Sequence, residues 1–139
     1  MPDLQGNDAA IREVLEQARV IAVVGHSDNP DRTSYQIAHF LRRAGYTVYP
    51  VNPAVPEIEG QRSYASLAEV PEPIDIVNVF RRSEYLPAIV EAAIAVGAKT
   101  VWAQVGVRHS GAAAVAQTAG LNWIMDACIK VEFLRLRQG

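Results

Sequence analysis

Apolar residues follow two alternating patterns along the chain, and their alternation predicts the architecture. Ile11, Val14, Leu15 and Ala18 recur at helical spacing, with Arg12, Glu13 and Glu16 elsewhere and Asn7 or Asp8 available as N-cap. The apolar run Val20-Ile21-Ala22-Val23-Val24 then ends at Gly25, the pattern of a strand covered on both faces. After a polar stretch from His26 to Arg32, Thr33 or Ser34 can cap a helix. Its buried stripe is Ile37, Phe40, Leu41 and Ala44, with Gly45 at C′.

Residues 46–51 read as a second strand, closed by Asn52-Pro53. The periodicity weakens over residues 54–73, which are assigned a loop with a short helix around Ser66 to Glu69. Residues 74–80 form a third strand ended by Arg81-Arg82. Ser83 is placed to cap a helix that buries Leu86, Ile89, Val90 and Ala93, and Pro87 falls in its first turn, where a missing N–H costs little. A fourth strand over 100–104, a helix over 111–119 ended by Gly120, a short strand over 122–125 and a last helix over 127–137 complete the pattern. That last helix carries apolar residues on a wide face, including Val131 and Leu134, which suits an edge or a partner.

Strand and helix alternating five times with short loops predict an α/β, three-layer, Rossmann-like fold. The expected sheet has five mostly parallel strands in the order 3-2-1-4-5, with helices on both faces. No internal repeat, low-complexity run or linker divides the chain, so one domain over residues 1–139 is expected.

With 139 residues, the chain has room for a single core. Half of its residues are hydrophobic and 20% are charged, which excludes disorder. Thirteen Lys and Arg against 15 Asp and Glu give a net charge of −2, so no nucleic-acid or membrane-surface partner is expected and any anion must be bound locally. The single Cys128 permits no internal disulfide and no Cys-based zinc site, the N-terminus lacks the apolar run of a signal peptide, and no apolar run approaches the roughly 20 residues of a membrane span. These features lead to the expectation of a cytoplasmic protein.

In such a sheet, ligands bind beyond the carboxyl ends of the strands, beside the first strand. The segments delivered there are Gly25-His26-Ser27, Asn52-Pro53, Phe80-Arg81-Arg82, Gln104-Val105-Gly106 and Asp126. The first loop runs from strand to helix, so its amides and the helix N-terminus can receive a phosphate, helped by Arg32 and the hydroxyls of Ser27, Thr33 and Ser34. The dinucleotide fingerprint G-x-G-x-x-G is absent, and the second strand ends without the acid that binds the ribose in NAD domains. Asn52-Pro53 can form a stiff turn offering an amide, Arg81-Arg82 places fixed positive charge at the crevice, and Phe80 can pack against a flat ring.

The case for catalysis is thinner. His26 lacks a partner that spacing can name, His39 sits mid-helix, His109 lies in a loop, and no metal site is expected from three scattered histidines. No Gly-x-Ser-x-Gly elbow or P-loop occurs. Cys128, at the start of the last helix, reads as a small hydrophobe or as a thiol made reactive by the helix dipole.

Several blocks in order resemble the small CoA-binding proteins related to the CoA-binding domain of the succinyl-CoA synthetase α subunit. They are Ile21 to Ser27 with Pro30, Arg32 and Ser34; Gly45-Tyr46 with Pro50 to Pro53; Asp75 to Arg82; Lys99 to Gly106; and Met125 to Lys130. The resemblance spans nearly the whole chain. It implies that coenzyme A or an acyl-CoA is bound across the crevice, its nucleotide end near the first loop and the Asn52-Pro53 turn and the Val79-Phe80-Arg81 block along the ligand. The expected binding residues are Gly25, His26, Ser27, Arg32, Ser34, Asn52, Pro53, Val79, Phe80 and Arg81. This family often has Asp-Arg-Cys where the present chain has Asp126-Ala127-Cys128. The synthetase's phosphorylated His lies in another domain, so its catalysis does not carry over. A non-catalytic binding, carrier or sensor module is expected. The alternatives are a small CoA-dependent acyltransferase or thioesterase using His26, Asp126 or Cys128, and an NAD(P)-binding redox sensor. A homo-oligomer or a protein partner remains open.

Overall fold

The computed structural model describes residues 3–137. Helix α1 (Asp8–Gln17) is capped by Asn7, whose side chain accepts from the Ala10 amide, and leads into β1 (Val20–Val24), all five residues of which are buried. Then follow α2 (Thr33–Arg43), β2 (Thr47–Val51), a hairpin of β3 (Glu57–Ile58) and β4 (Gln61–Arg62), β5 (Ile76–Val79), α3 (Leu86–Ala95), β6 (Thr100–Ala103), α4 (Ser110–Thr118), β7 (Asn122–Ile124) and α5 (Ile129–Arg137). Short 3-10 turns at Leu67–Glu69 and Ser83–Tyr85 precede β5 and α3. The first of them matches the short helix expected around Ser66 to Glu69.

β2, β1, β5, β6 and β7 form one parallel five-stranded sheet in that order. The Rossmann-like α/β class is as expected, but the strand order is corrected: counting only the long strands, it is 2-1-3-4-5 rather than 3-2-1-4-5. Pro50 supplies the physical reason. It has no N–H to give to a second neighbour, so β2 belongs at an edge. Its carbonyl accepts from the Tyr64 amide instead, while Thr47 is exposed. The third long strand, β5, is buried at all four positions and lies between β1 and β6. Both sheet edges are covered by single bridges, Val51 with Tyr64 and Asp3 with Trp123, which blunts them against pairing with another chain.

Apolar side chains divide into two clusters, one on each face. Ile21, Val23, Ile76 and Trp102 meet α1, α2 and α5; Ala22, Val24, Val77 and Val101 meet α3 and α4. At the N-terminal end of the sheet, Asp75 accepts from the amides of Arg19 (2.9 Å) and Val20 (3.0 Å) and pairs with Lys99 at 3.4 Å. Burial opposes its charge, but these partners prevail and hold its carboxyl below the usual range.

Two local expectations also change. Ser83 does not cap α3: its hydroxyl accepts from the Arg108 amide at 2.9 Å and so ties the start of α3 to the loop after β6. The β3–β4 hairpin, inside the segment assigned as loop, is built on a Glu59-Gly60 turn with φ of 50° and 77°. Among the described residues, no helix is long and apolar enough to cross a membrane.

Candidate functional site

The strand order reverses between the parallel neighbours β1 and β5, so the connections leaving their carboxyl ends turn to opposite faces of the sheet, to α2 and to α3, and leave a crevice between them. Gly25 sits at its centre. With φ of 88°, and with a Cβ placed 3.0 Å from both the Phe80 carbonyl oxygen and Arg81 Cδ, the position admits only glycine without strain. The backbone of the first loop thereby passes against the end of β5, and the crevice is divided into two grooves.

The first groove, about 370 Å³, is polar and opens at the start of α2. Its walls include Gly25, Ser27, Arg32, Ser34, Phe80 and Gln104. Arg32 occupies the N-cap position of α2 and makes no side-chain cap bond, so the expected capping by Thr33 or Ser34 does not occur. The Ser34 hydroxyl accepts from the Ser27 amide at 2.9 Å and shapes the loop instead. The first-turn amides of α2 are thus left without a side-chain acceptor, at the positive end of an 11-residue helix. Opposite them, Gln104 is only 7% exposed, and its Oε1 is enclosed without a partner. A turn of this side chain toward the groove would bring the oxygen within reach of a donor there.

The second groove, about 250 Å³, is largely apolar and lies between the end of β2 and α3. Val24, Val51, Pro53, Leu67 and Ile89 line it, and Arg81 and Tyr85 form its polar margin. The Arg81 guanidinium lies over the Tyr85 ring, 4.2 Å from its centroid. Arg82 turns outward, donates to the Tyr85 hydroxyl at 3.3 Å and pairs with Glu84 at 3.8 Å. The hydrogen bond from Arg82, followed by the charge of Arg82, holds the Tyr85 phenol below its ordinary pKa.

The structure thus brings Gly25, Ser27, Arg32, Ser34, Pro53, Phe80 and Arg81 to the two grooves. It places three other expected residues outside both linings. His26 is fully buried; its Nδ1–H donates to the Ser27 carbonyl at 2.8 Å, and its Nε2 accepts from Arg42 Nη1 at 3.3 Å. Burial, more than the opposing pull of the Ser27 carbonyl, lowers its pKa to about 4, so the ring is neutral near pH 7. With the Nε2 lone pair engaged by a guanidinium, His26 is poorly suited to act as a base. The Asn52 amide is engaged within the protein, donating to the His26 carbonyl at 2.9 Å and accepting from the Ala54 amide at 3.0 Å. Val79 is wholly buried in the sheet.

Other candidates prove architectural. Asp126 accepts from the Gly106 amide at 2.7 Å and faces Arg108 at 3.6 Å. His109 caps α4 by accepting from the Ala112 amide at 3.0 Å, and His39 is exposed beside Glu59. Sequence reasoning left Tyr85 and Gln104 out of the expected binding set. Tyr85 carries no sequence signal beyond following Arg82 by three residues. Gln104 belongs to a segment expected at the crevice rim, but nothing in the sequence marks its side chain as enclosed there.

The chain is similar to known proteins in sequence and in fold. A family model described as a CoA binding domain matches residues 19–133. An uncharacterized protein of Bacillus subtilis, YneT, is 46% identical over 123 residues, which cover 88% of this chain and 91% of that protein. The II subunit alpha of an ADP-forming acetate–CoA ligase from Pyrococcus furiosus is 37% identical over 62 residues, 44% of this chain but only 14% of that subunit. Among solved structures, a hypothetical protein from Pyrococcus horikoshii OT3 superposes with a TM-score of 0.93 at 36% identity, covering 99% of this chain and 97% of the other.

Proposed function

We propose that this chain, which belongs to the CoA-binding domain family, binds coenzyme A or an acyl-CoA across its two grooves and acts as a binding, carrier or sensor module without chemistry of its own. The observation that carries the reading is an apolar slot with a guanidinium at its margin beside an amide-rich groove at a helix N-terminus, the two adjoining where Val24 and Arg81 line the first and their chain neighbours Gly25 and Phe80 line the second.

CoA has matching parts. A flat adenine suits the slot between Pro53, Leu67 and Tyr85, and its phosphates suit Arg81, Arg32 and the α2 amides. The pantetheine arm carries amide N–H and hydroxyl donors, and the enclosed Gln104 oxygen is an acceptor of the kind they need. Neither a ribose-binding acid nor a glycine-rich turn is required, in agreement with the absence of both. The engagement of His26 with Ser27 and Arg42 argues against the transferase or thioesterase alternative in its His26 form.

Isothermal titration with CoA, dephospho-CoA and NAD tests the reading. The expected order is CoA tightest, dephospho-CoA weaker by the loss of one charge-assisted contact of about 1.5–3 kcal/mol, or roughly ten- to hundredfold, and NAD weakest. Equal binding of all three, or none, overturns it.

A further inference from the structure

Behind the polar groove, side chains from the first loop, α2 and the β3–β4 turn meet in a cluster that lines neither groove. Arg42 is its centre. Its side chain is 22% exposed, and Nε and Nη2 are enclosed with no partner. Nη1 donates to His26 Nε2 at 3.3 Å and lies 3.9 Å from Glu59 Oε1. Among the described residues, Glu59 is the carboxylate within ion-pair reach of this guanidinium. His39 Nδ1 faces the same oxygen at 3.9 Å, and the Tyr35 ring meets the His26 ring edge-on at 5.9 Å. Glu59 holds this place from a left-handed conformation, φ 50°, at a turn position where Asn, Asp or Gly would be less strained.

We infer that Glu59 is a positioning residue for the anion-binding loop: its carboxylate holds the Arg42 guanidinium, Arg42 holds the His26 ring, and His26 holds the backbone of Ser27 at the polar groove. A guanidinium with two enclosed nitrogens and a partly exposed third is steered by a nearby counter-charge, and the hairpin supplies it. The hairpin is itself fixed to the sheet edge, because Gln61 Nε2 donates to the Val48 carbonyl at 2.7 Å and Ser63 Oγ to the Asn52 carbonyl at 3.2 Å. Asn52 closes the circuit through its bond to the His26 carbonyl. Hairpin and loop therefore form one connected unit, and linkage makes the coupling reciprocal: a ligand that orders the loop also steadies the hairpin.

The ligand-binding arm of this inference rests on the proposed function, whereas its structural arm does not. Glu59→Gln keeps the side chain's size and removes its charge at a site that is 40% exposed, so the fold is expected to survive with a nearly unchanged thermal midpoint. In ligand-free protein, Glu59→Gln is expected to move the NMR signals of the His26 ring and of the Ser27 and Ser34 amides. Its affinity for CoA is expected to fall roughly three- to tenfold, with Glu59→Asp recovering part of the loss. In the unsubstituted protein, CoA is expected to slow amide hydrogen exchange over residues 57–62. Unmoved ring and loop signals together with unchanged CoA affinity would overturn the inference. Should the unsubstituted protein fail to bind CoA while Glu59→Gln still moves those signals, the functional reading fails and the positioning role stands. If Glu59→Gln does not fold, Glu59→Asp and the exchange measurement decide between the same outcomes.

Discussion

Arg81 and Arg82 are adjacent and chemically alike, yet their surroundings give them different work. Arg81 lines the apolar groove with its charge over the Tyr85 ring, whereas Arg82 faces solvent beside Glu84. Arg81→Ala is therefore expected to weaken CoA binding roughly ten- to hundredfold, and Arg82→Ala by less than about threefold, in parallel titrations. His26 carries a second prediction. Its folded-state pKa of about 4 lies below the ordinary 6.5, so between those values the unfolded chain takes up a proton that the folded protein refuses. Its contribution is complete above pH 6.5 and is lost as pH falls through 4, an effect on the order of 3 kcal/mol. Urea midpoints for the unsubstituted protein and for His26→Gln should show the acid-side loss shrinking in the variant; equal slopes would contradict it. Residue by residue, Gly25 was legible because a glycine closing an apolar strand has a local cause. The roles of His26 and Asn52 were not, because their partners lie 16 and 26 residues away in the chain.

At the scale of elements, the long strands and helices were legible from periodicity, since each buries one face or both against a single sheet. Strand order was not, although Pro50 held the clue: a strand that lacks one donor belongs at an edge. The hairpin escaped notice because strands of two residues have no period to read, and Glu59-Gly60 is the one turn signal it offers. At the amino end of the sheet, Asp75 clamps the amides that lead into β1. Asp75→Ala is expected to cost about 1–3 kcal/mol in denaturant unfolding while leaving CoA affinity unchanged, because the clamp lies at the end of the sheet opposite the grooves. A loss of affinity equal to that of Arg81→Ala would refute this separation of stability from binding.

Over the whole molecule, two apolar clusters sandwich a sheet whose topology leaves a single reversal point, and the chemistry of the strand ends gathers there. The same domain architecture extends to relatives within much larger ligases, of which this chain matches a small fraction. Its account as a CoA-binding unit depends on one ligand spanning both grooves over Gly25. A crystal structure of the CoA complex tests that most directly. The expected result has the adenine between Pro53 and Tyr85, the phosphates against Arg81, Arg32 and the first turn of α2, and the pantetheine arm within hydrogen-bond distance of Gln104 Oε1. CoA held elsewhere, for instance between α2 and α5, or its absence from crystals grown at saturating ligand, would contradict the account.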